Sequence, residues 1–299
     1  MRISANFLCS FIFCAVVFFA CSSRAVLVSG SNYNTAAPTN SDIANWNIGW
    51  GGDGITGWNY VGVVNRGSGV YLGNGWVLTA DHVGAGTFTL AGTAYSSVAG
   101  SSHAFSTQEG VADLILFRIA TSPNLPLLEI AESSPVPFSS SYSGDAVAML
   151  GYGGGHGETW GLNTVTAVDL ATTVDGYSYV SIDFATAYGT TTSGSSSIIN
   201  QAQLIPGDSG GGDFIYSSAT GKWLLAGINE AVDDATHDSY MVQVSAYSSQ
   251  INAVVVPEPD PRLFVLVVAG IALFFRQSCS HGPVGRRGLQ GRGDNQNPN

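Results

Sequence analysis

Residues 69–83 read Gly-Val-Tyr-Leu-Gly-Asn-Gly-Trp-Val-Leu-Thr-Ala-Asp-His-Val, two apolar stretches on either side of Gly73-Asn74-Gly75 that close on His82. This is the pattern of a hairpin-like strand pair ending in a histidine. Similar short apolar stretches lie on both sides of it, at 60–64, 75–79, 87–90, 114–119, 146–150, 177–184, 223–228 and 240–244, separated by clusters of Gly, Ser, Asn and Asp. Such spacing predicts antiparallel strands in a sandwich or barrel. Only residues 245–253, at the end of the series, have a helical pattern. No internal repeat is evident, but residues 55–150 and 151–255 form two halves of similar length.

Composition supports an all-β reading. The 299 residues include 38 glycines, and charged residues make up only 10%. The Lys, Glu and Arg that dominate solvent-facing helices are scarce. The formal net charge of -11 understates the acidity of the centre, because residues 26–255 hold only Arg66, Arg118 and Lys222 against 18 Asp and Glu, a balance of -15. Phosphate binding needs a basic surface, so a nucleic-acid partner is not expected. Cationic peptides are compatible substrates, and the acidity serves solubility equally well.

Residues 1–25 combine Arg2, an apolar run over 11–20 and Ser23-Arg24-Ala25, the order of a secretory signal cut after Ala25 by signal peptidase. The apolar run is shorter than the roughly 20 residues a spanning helix needs. Ala20-Cys21-Ser22-Ser23 also has some likeness to a lipoprotein processing site, although Phe18 and Phe19 precede it. The cysteines are Cys9, Cys14, Cys21 and Cys279, so the mature core has no thiol and no disulfide. An exported chain of this size can rely on its hydrophobic core instead.

Acyl transfer from a peptide needs a nucleophile, a base, a group that orients the base, and donors for the oxyanion. Pro206-Gly207-Asp208-Ser209-Gly210-Gly211 sets Ser209 in a tight glycine turn, with the N–H groups of Gly207 and Ser209 as oxyanion donors. His82 carries an imidazole able to accept and return a proton near neutrality. Asp113 opens the apolar run Ala112-Asp113-Leu114-Ile115-Leu116-Phe117-Arg118-Ile119, where an unpaired carboxylate would be costly to bury.

These three blocks resemble those of the trypsin and chymotrypsin superfamily. Trp76-Val77-Leu78-Thr79-Ala80-Asp81-His82 is similar to the family's histidine block, except that Asp81 stands where Ala is usual. Asp113 follows His82 by 31 residues and precedes Ser209 by 96, in the family's order. The resemblance continues through Trp223-Leu224-Leu225-Ala226-Gly227-Ile228 and Val244-Ser245-Ala246-Tyr247, covering about residues 60–253. It implies two six-stranded antiparallel barrels, about 55–150 and 151–255, with a short C-terminal helix. His82, Asp113 and Ser209 are then the triad of a serine endopeptidase that needs no cofactor and acts as a monomer on peptides or proteins. Gln203 falls at the usual floor of the specificity pocket, and Glu230-Ala231-Val232 replace its usual Ser-aromatic-Gly wall. Gly212 stands where Pro is common, and no preference for the residue before the scissile bond carries over. The family's activation sequence is missing from residues 26–60, and Asp208, which pairs with a freed N-terminus in the family, has no evident partner in the sequence.

After Val255 the sequence turns to Pro257-Glu258-Pro259, an apolar run over 263–275 and Arg276. Residues 256–276 resemble a PEP-CTERM sorting signal, which implies an exosortase as processing partner and a place at the cell surface or outside it. The chain departs from that pattern by continuing for 23 residues of polar tail, 277–299. His103, His156 and His237 have no metal-ligand spacing, and Asp233, Asp234 and Asp238 lack the alternation of a calcium loop, so no metal is expected. Two other functions compete. Gly207-Asp208-Ser209-Gly210-Gly211 also fits the nucleophile elbow of α/β hydrolases, with Asp233 or Asp234 and His237 downstream, but the alternating helices of that fold are absent. A surface-displayed binding protein could keep the fold without the activity, and the intact His82, Asp113 and Ser209 argue against it.

Overall fold

A computed structural model describes residues 26–28, 33–174, 176–189 and 199–256. The secretory signal at 1–25, all four cysteines, Pro257-Glu258-Pro259, the apolar run and the polar tail lie outside the described residues.

Strand β1 (Leu27–Val28) leads to seven strands: β2 (Val61–Val64), β3 (Gly67–Gly73), β4 (Trp76–Thr79), β5 (Phe88–Leu90), β6 (Thr93–Tyr95), β7 (His103–Ser106) and β8 (Val111–Arg118). These form one antiparallel sheet in the order β6-β5-β2-β3-β4-β8-β7. The hairpin read at 69–83 is β3 and β4, whose turn needs positive φ at Asn74 (52°) and Gly75 (83°). The sheet curls back on itself just past β6, where Val98 N–H donates to the Arg118 carbonyl at 2.7 Å and Ala120 N–H to that of Ser96 at 2.8 Å.

The second half contains β9 (Ala146–Gly151), β10 (Thr159–Thr172), β11 (Ser181–Ala187), β12 (Ala202–Gln203), β13 (Gly212–Ser217), β14 (Lys222–Val232) and β15 (Asp238–Gln243). Six of them close a barrel in the order β10-β11-β15-β14-β13-β9, while β12 pairs with β1. The expected all-β, trypsin-like architecture is therefore present, with one closed six-stranded barrel and one curled seven-stranded sheet. The division falls in the connection between Arg118 and Ala146, so the strand beginning at Ala146 belongs to the barrel and not to the first half. That connection bridges the halves, with Leu128 N–H donating to the Leu72 carbonyl at 3.0 Å and Ala131 N–H to that of Leu225 at 2.9 Å.

The core runs through both halves. One cluster joins Val70, Leu78, Phe88 and Leu116 of the sheet to Leu150, Phe214, Leu225 and Ile228 of the barrel. Residues 33–60 add an aromatic plug: Trp50 stacks on Trp223 at 5.4 Å, and Trp46 meets both edge-on at 5.0 Å. Burying roughly 150–250 Å² of ring at about 25 cal/mol per Å² contributes about 4–6 kcal/mol per tryptophan before the entropy of ordering is subtracted. Helix α1 (Ser248–Val255) inserts Ile251 and Val255 into this core, and the Asn74 side chain donates to the Val255 carbonyl at 3.0 Å. Among the described residues no helix is long and apolar enough to cross a membrane.

Candidate active site

The β4–β8 register places the first two candidates together. Thr79 pairs with Ile115, so continuing the antiparallel ladder by two residues sets 81 opposite 113 and brings His82 beside Asp113. A turn closes there as Val83 N–H and Gly84 N–H both donate to the Ala80 carbonyl. The Asp113 carboxylate then holds His82 at two points, accepting from its backbone N–H at 2.8 Å and contacting ring Nδ1 at 2.5 Å. The Asp113 side chain is 1% exposed and that of His82 18%, so the acid is sealed while the outer edge of the ring faces solvent.

Ser209 reaches the same place from the barrel. Its turn uses positive φ at Gly207 (101°) and Gly210 (84°). At Gly210 a Cβ would run into the Ser68 carbonyl and the Thr79 hydroxyl, so only glycine lets the turn lie against the first sheet. Ser68 N–H donates to the Ser209 carbonyl at 2.8 Å, and Gly210 N–H to the Asn229 carbonyl at 2.8 Å. The Asn229 amide donates in turn to the Leu150 and Asp208 carbonyls. Ser209 and His82 therefore come to one cavity where the two halves join. His82, Ser209 and Gly207 line one cavity of about 430 Å³ with Asn65, Arg66, Gly67 and Val83. Among the described residues, neither the Gly207 nor the Ser209 N–H donates to a protein acceptor.

Asp208 has partners that the sequence did not reveal. Its fully buried carboxyl accepts from the N–H groups of Gly153 and Ile205 at 3.0 Å each, and from that of Val26. Burial pushes its pKa up to about 7 against the opposing pull of those three donors.

Behind Asp113 lies a second acidic layer. Asp113 N–H donates to the Ser181 hydroxyl at 3.0 Å, which donates to Glu230 Oε1 at 2.7 Å. Glu230 and Asp183 are both buried, and burial raises the pKa of each. Two adjacent buried carboxyls cannot both ionise, and Glu230 is raised further because the Asp183 charge adds to its desolvation. If both were ionised, the Asp183 oxygens and Glu230 Oε2 would lack any donor. A proton on Glu230 supplies one.

The structure thus brings His82, Asp113, Gly207 and Ser209 together and turns Gln203 and Glu230 inward. Gln203 is 8% exposed in β12 opposite Leu27, and Glu230 is 5% exposed; neither lines the cavity shared by His82 and Ser209. Ser181, Asn229 and the Val26 contact were not anticipated, because each depends on a long-range pairing. The remaining acidic loop is a turn in which Asp233 Oδ1 accepts from the N–H groups of Ala235 and Thr236 at 2.7 and 3.2 Å. His103 packs on Trp76 and His156 on Tyr33. Among the described residues no group of three His, Cys, Asp or Glu is placed to hold a metal. The antiparallel barrel also excludes the doubly wound sheet that an α/β-hydrolase elbow requires.

Solved structures similar to this chain are proteases. The HtrA-type protease AlgW with decapeptide is 21% identical with a TM-score of 0.44, over 64% of this chain and 51% of that one. This chain therefore spans about half its length. The Rv3671c protease of M. tuberculosis H37Rv, in an inactive form, is 16% identical with a TM-score of 0.48, over 76% of this chain and 99% of that one. The NS6 protease of murine norovirus 1 is 15% identical with a TM-score of 0.42, over 62% and 90% respectively. No curated protein matches the sequence. The trypsin family model matches residues 53–255, more than half of the chain and the whole stretch from before β2 to the end of α1, and the chain belongs to the trypsin family.

Proposed function

We propose that this protein is an exported serine endopeptidase in which His82, Asp113 and Ser209 form the catalytic triad. The observation that carries the reading is the double anchoring of His82 by the buried Asp113, with His82 lining one cavity together with Ser209 and Gly207. Asp113 holds Nδ1 as the protonated nitrogen, which leaves Nε2 free to take the Ser209 proton as Oγ attacks the scissile carbonyl. The Gly207 and Ser209 N–H groups receive the oxyanion, and the imidazolium returns its proton to the leaving amine. Water then repeats the sequence on the acyl-enzyme.

Export is part of the same proposal. Cleavage after Ala25 turns the Val26 nitrogen, already bonded to Asp208, into an α-ammonium beside a fully buried carboxyl. That pairing offsets the cost of an isolated buried charge and locks the nucleophile turn. Beyond the core, exosortase cleavage near Pro257-Glu258-Pro259 would release the folded protease from its apolar tail.

A fluorophosphonate probe tests the reading. The wild-type protein should be labelled, and Ser209→Ala should lose the label while keeping its circular dichroism spectrum and unfolding midpoint, because Ser209 contributes its carbonyl rather than its hydroxyl to the fold. An unlabelled wild type, or a labelled Ser209→Ala variant, would remove Ser209 as nucleophile.

A further inference from the structure

Asp81 is the residue at which the histidine block departs from its family, and the triad makes no use of it. The Tyr179 hydroxyl lies beside the Asp81 carboxylate. Burial, and then Asp81, push the Tyr179 pKa up to about 12, so the phenol remains a neutral donor. The Tyr179 ring stacks on Tyr177 at 5.8 Å and 20°, and Tyr177 lies against the His82 imidazole at 5.3 Å and 43°. Both separations are within the 4.5–7 Å range of aromatic contact.

The segment that carries these rings, between β10 and β11, is fixed at its end where Val180 N–H donates to the Val111 carbonyl at 2.8 Å, two residues before Asp113. Tyr177 is 51% exposed, so core burial does not account for its position. It packs on His82 without lining the cavity that His82 shares with Ser209.

We propose that Tyr177 is a specificity-determining residue, held on His82 by Tyr179 and Asp81, that admits only a small substrate side chain beside the imidazole, outside the 430 Å³ cavity. The inference rests on the endopeptidase reading. A base that takes the Ser209 proton and returns it to the leaving nitrogen stays within one hydrogen bond of the scissile bond throughout. A substrate chain crossing Ser209 with one arm in the cavity must carry its other arm past the ring outside that cavity. A tyrosine already packed there occupies the volume a large side chain would need. Asp81 acts as a positioning residue, since it reaches substrate only through the two tyrosines.

The test uses the mature protein with Tyr177→Ala, Tyr177→Phe and Asp81→Ala substitutions. Two readouts are needed: the His82 ring proton resonances, and cleavage of a peptide library randomised around the scissile bond. Tyr177→Ala should shift the His82 resonances by removing the ring current and should raise kcat/KM for large over small residues at one library position at least tenfold, roughly the discrimination a shaped apolar pocket supplies. Asp81→Ala should move both readouts in the same direction by less, and Tyr177→Phe should leave both at wild-type values. Unmoved His82 resonances in Tyr177→Ala would overturn the contact, and an unchanged library profile would overturn the specificity role. If the wild type neither cleaves the library nor takes a fluorophosphonate label, the endopeptidase reading and the specificity role fall together, while the resonances still decide the contact.

Discussion

Replacing Glu230 by Gln should change how stability depends on pH, because the folded protein holds a proton there that the unfolded chain releases. Glu230 is 5% exposed, hydrogen-bonded to Ser181 and next to the buried Asp183, and its carboxyl is raised far above the ordinary 4.5. A raised folded-state value means that the stabilising contribution is complete below about pH 4.5 and is lost as pH climbs towards the folded value. Over that window the unfolded state binds one proton fewer at this site, so stability falls by about 1.4 kcal/mol per pH unit. From pH 5 to pH 7 the loss is about 2.7 kcal/mol, a large share of the 5–15 kcal/mol that holds a domain together. Glutamine has the same shape, keeps an oxygen for the Ser181 hydroxyl and an N–H for Asp183, and never ionises. Urea unfolding at pH 5, 6 and 7 should show the Glu230→Gln variant gaining on the wild type by about 1.4 kcal/mol per pH unit. Parallel stability profiles for the two proteins would refute the protonated Glu230.

Three further outcomes follow from the site and its frame. Asp113→Asn should fold normally but lose roughly 10⁴ in kcat, the effect of the wrong histidine tautomer in a serine triad, measured on any peptide the wild type cleaves. Gly210→Ala should destabilise by at least about 1–3 kcal/mol from its left-handed φ alone, with the clash against Ser68 and Thr79 in addition, as read from the urea midpoint. Mass spectrometry of the exported protein should find Val26 at its N-terminus, and a variant blocked for cleavage after Ala25 should label more slowly with fluorophosphonate; equal labelling would separate the Asp208 contact from activation.

Much of the fold was legible because the relevant patterns are local. The Gly73-Asn74-Gly75 turn and the apolar stretches flanking it became β3 and β4, and the helical pattern at 245–253 became a 3-10 turn at Val244–Ala246 followed by α1. The misses occur where the backbone breaks its own period. Strand β10 runs for 14 residues, but register shifts between Val165 and Ala167 and between Ala167 and Leu170, with φ of 56° at Asp169, erase the two-residue alternation that would have revealed it. Residues 177–184 read as a strand because tyrosine favours strands, yet β11 begins at Ser181 and Tyr177 packs on His82 instead. By its position in the chain Glu230 points to a pocket wall or to solvent. It lies in the register shift of β14 between Asn229 and Ala231, the extra residue of a bulge, which removes it from simple alternation and leaves its side chain buried against Ser181.

The acidity of the chain and the chemistry of the site have a common root. Arg66, Arg118 and Lys222, the cations of residues 26–255, are all exposed, so none is available to neutralise a buried carboxylate. Each buried acid must find another solution. Burial pushes Asp213 and Glu230 well up, towards the neutral form. Asp208 collects backbone N–H groups, to which signal cleavage would add an ammonium. Asp113 is paired with an imidazole. With no arginine or lysine beside it among the described residues, the Asp113 carboxylate faces His82, where in the proposed mechanism it would stabilise the imidazolium formed as Ser209 attacks. A lysine introduced at Ser181 would compete with His82 for the Asp113 carboxylate, and in the proposed mechanism it should slow fluorophosphonate labelling of Ser209.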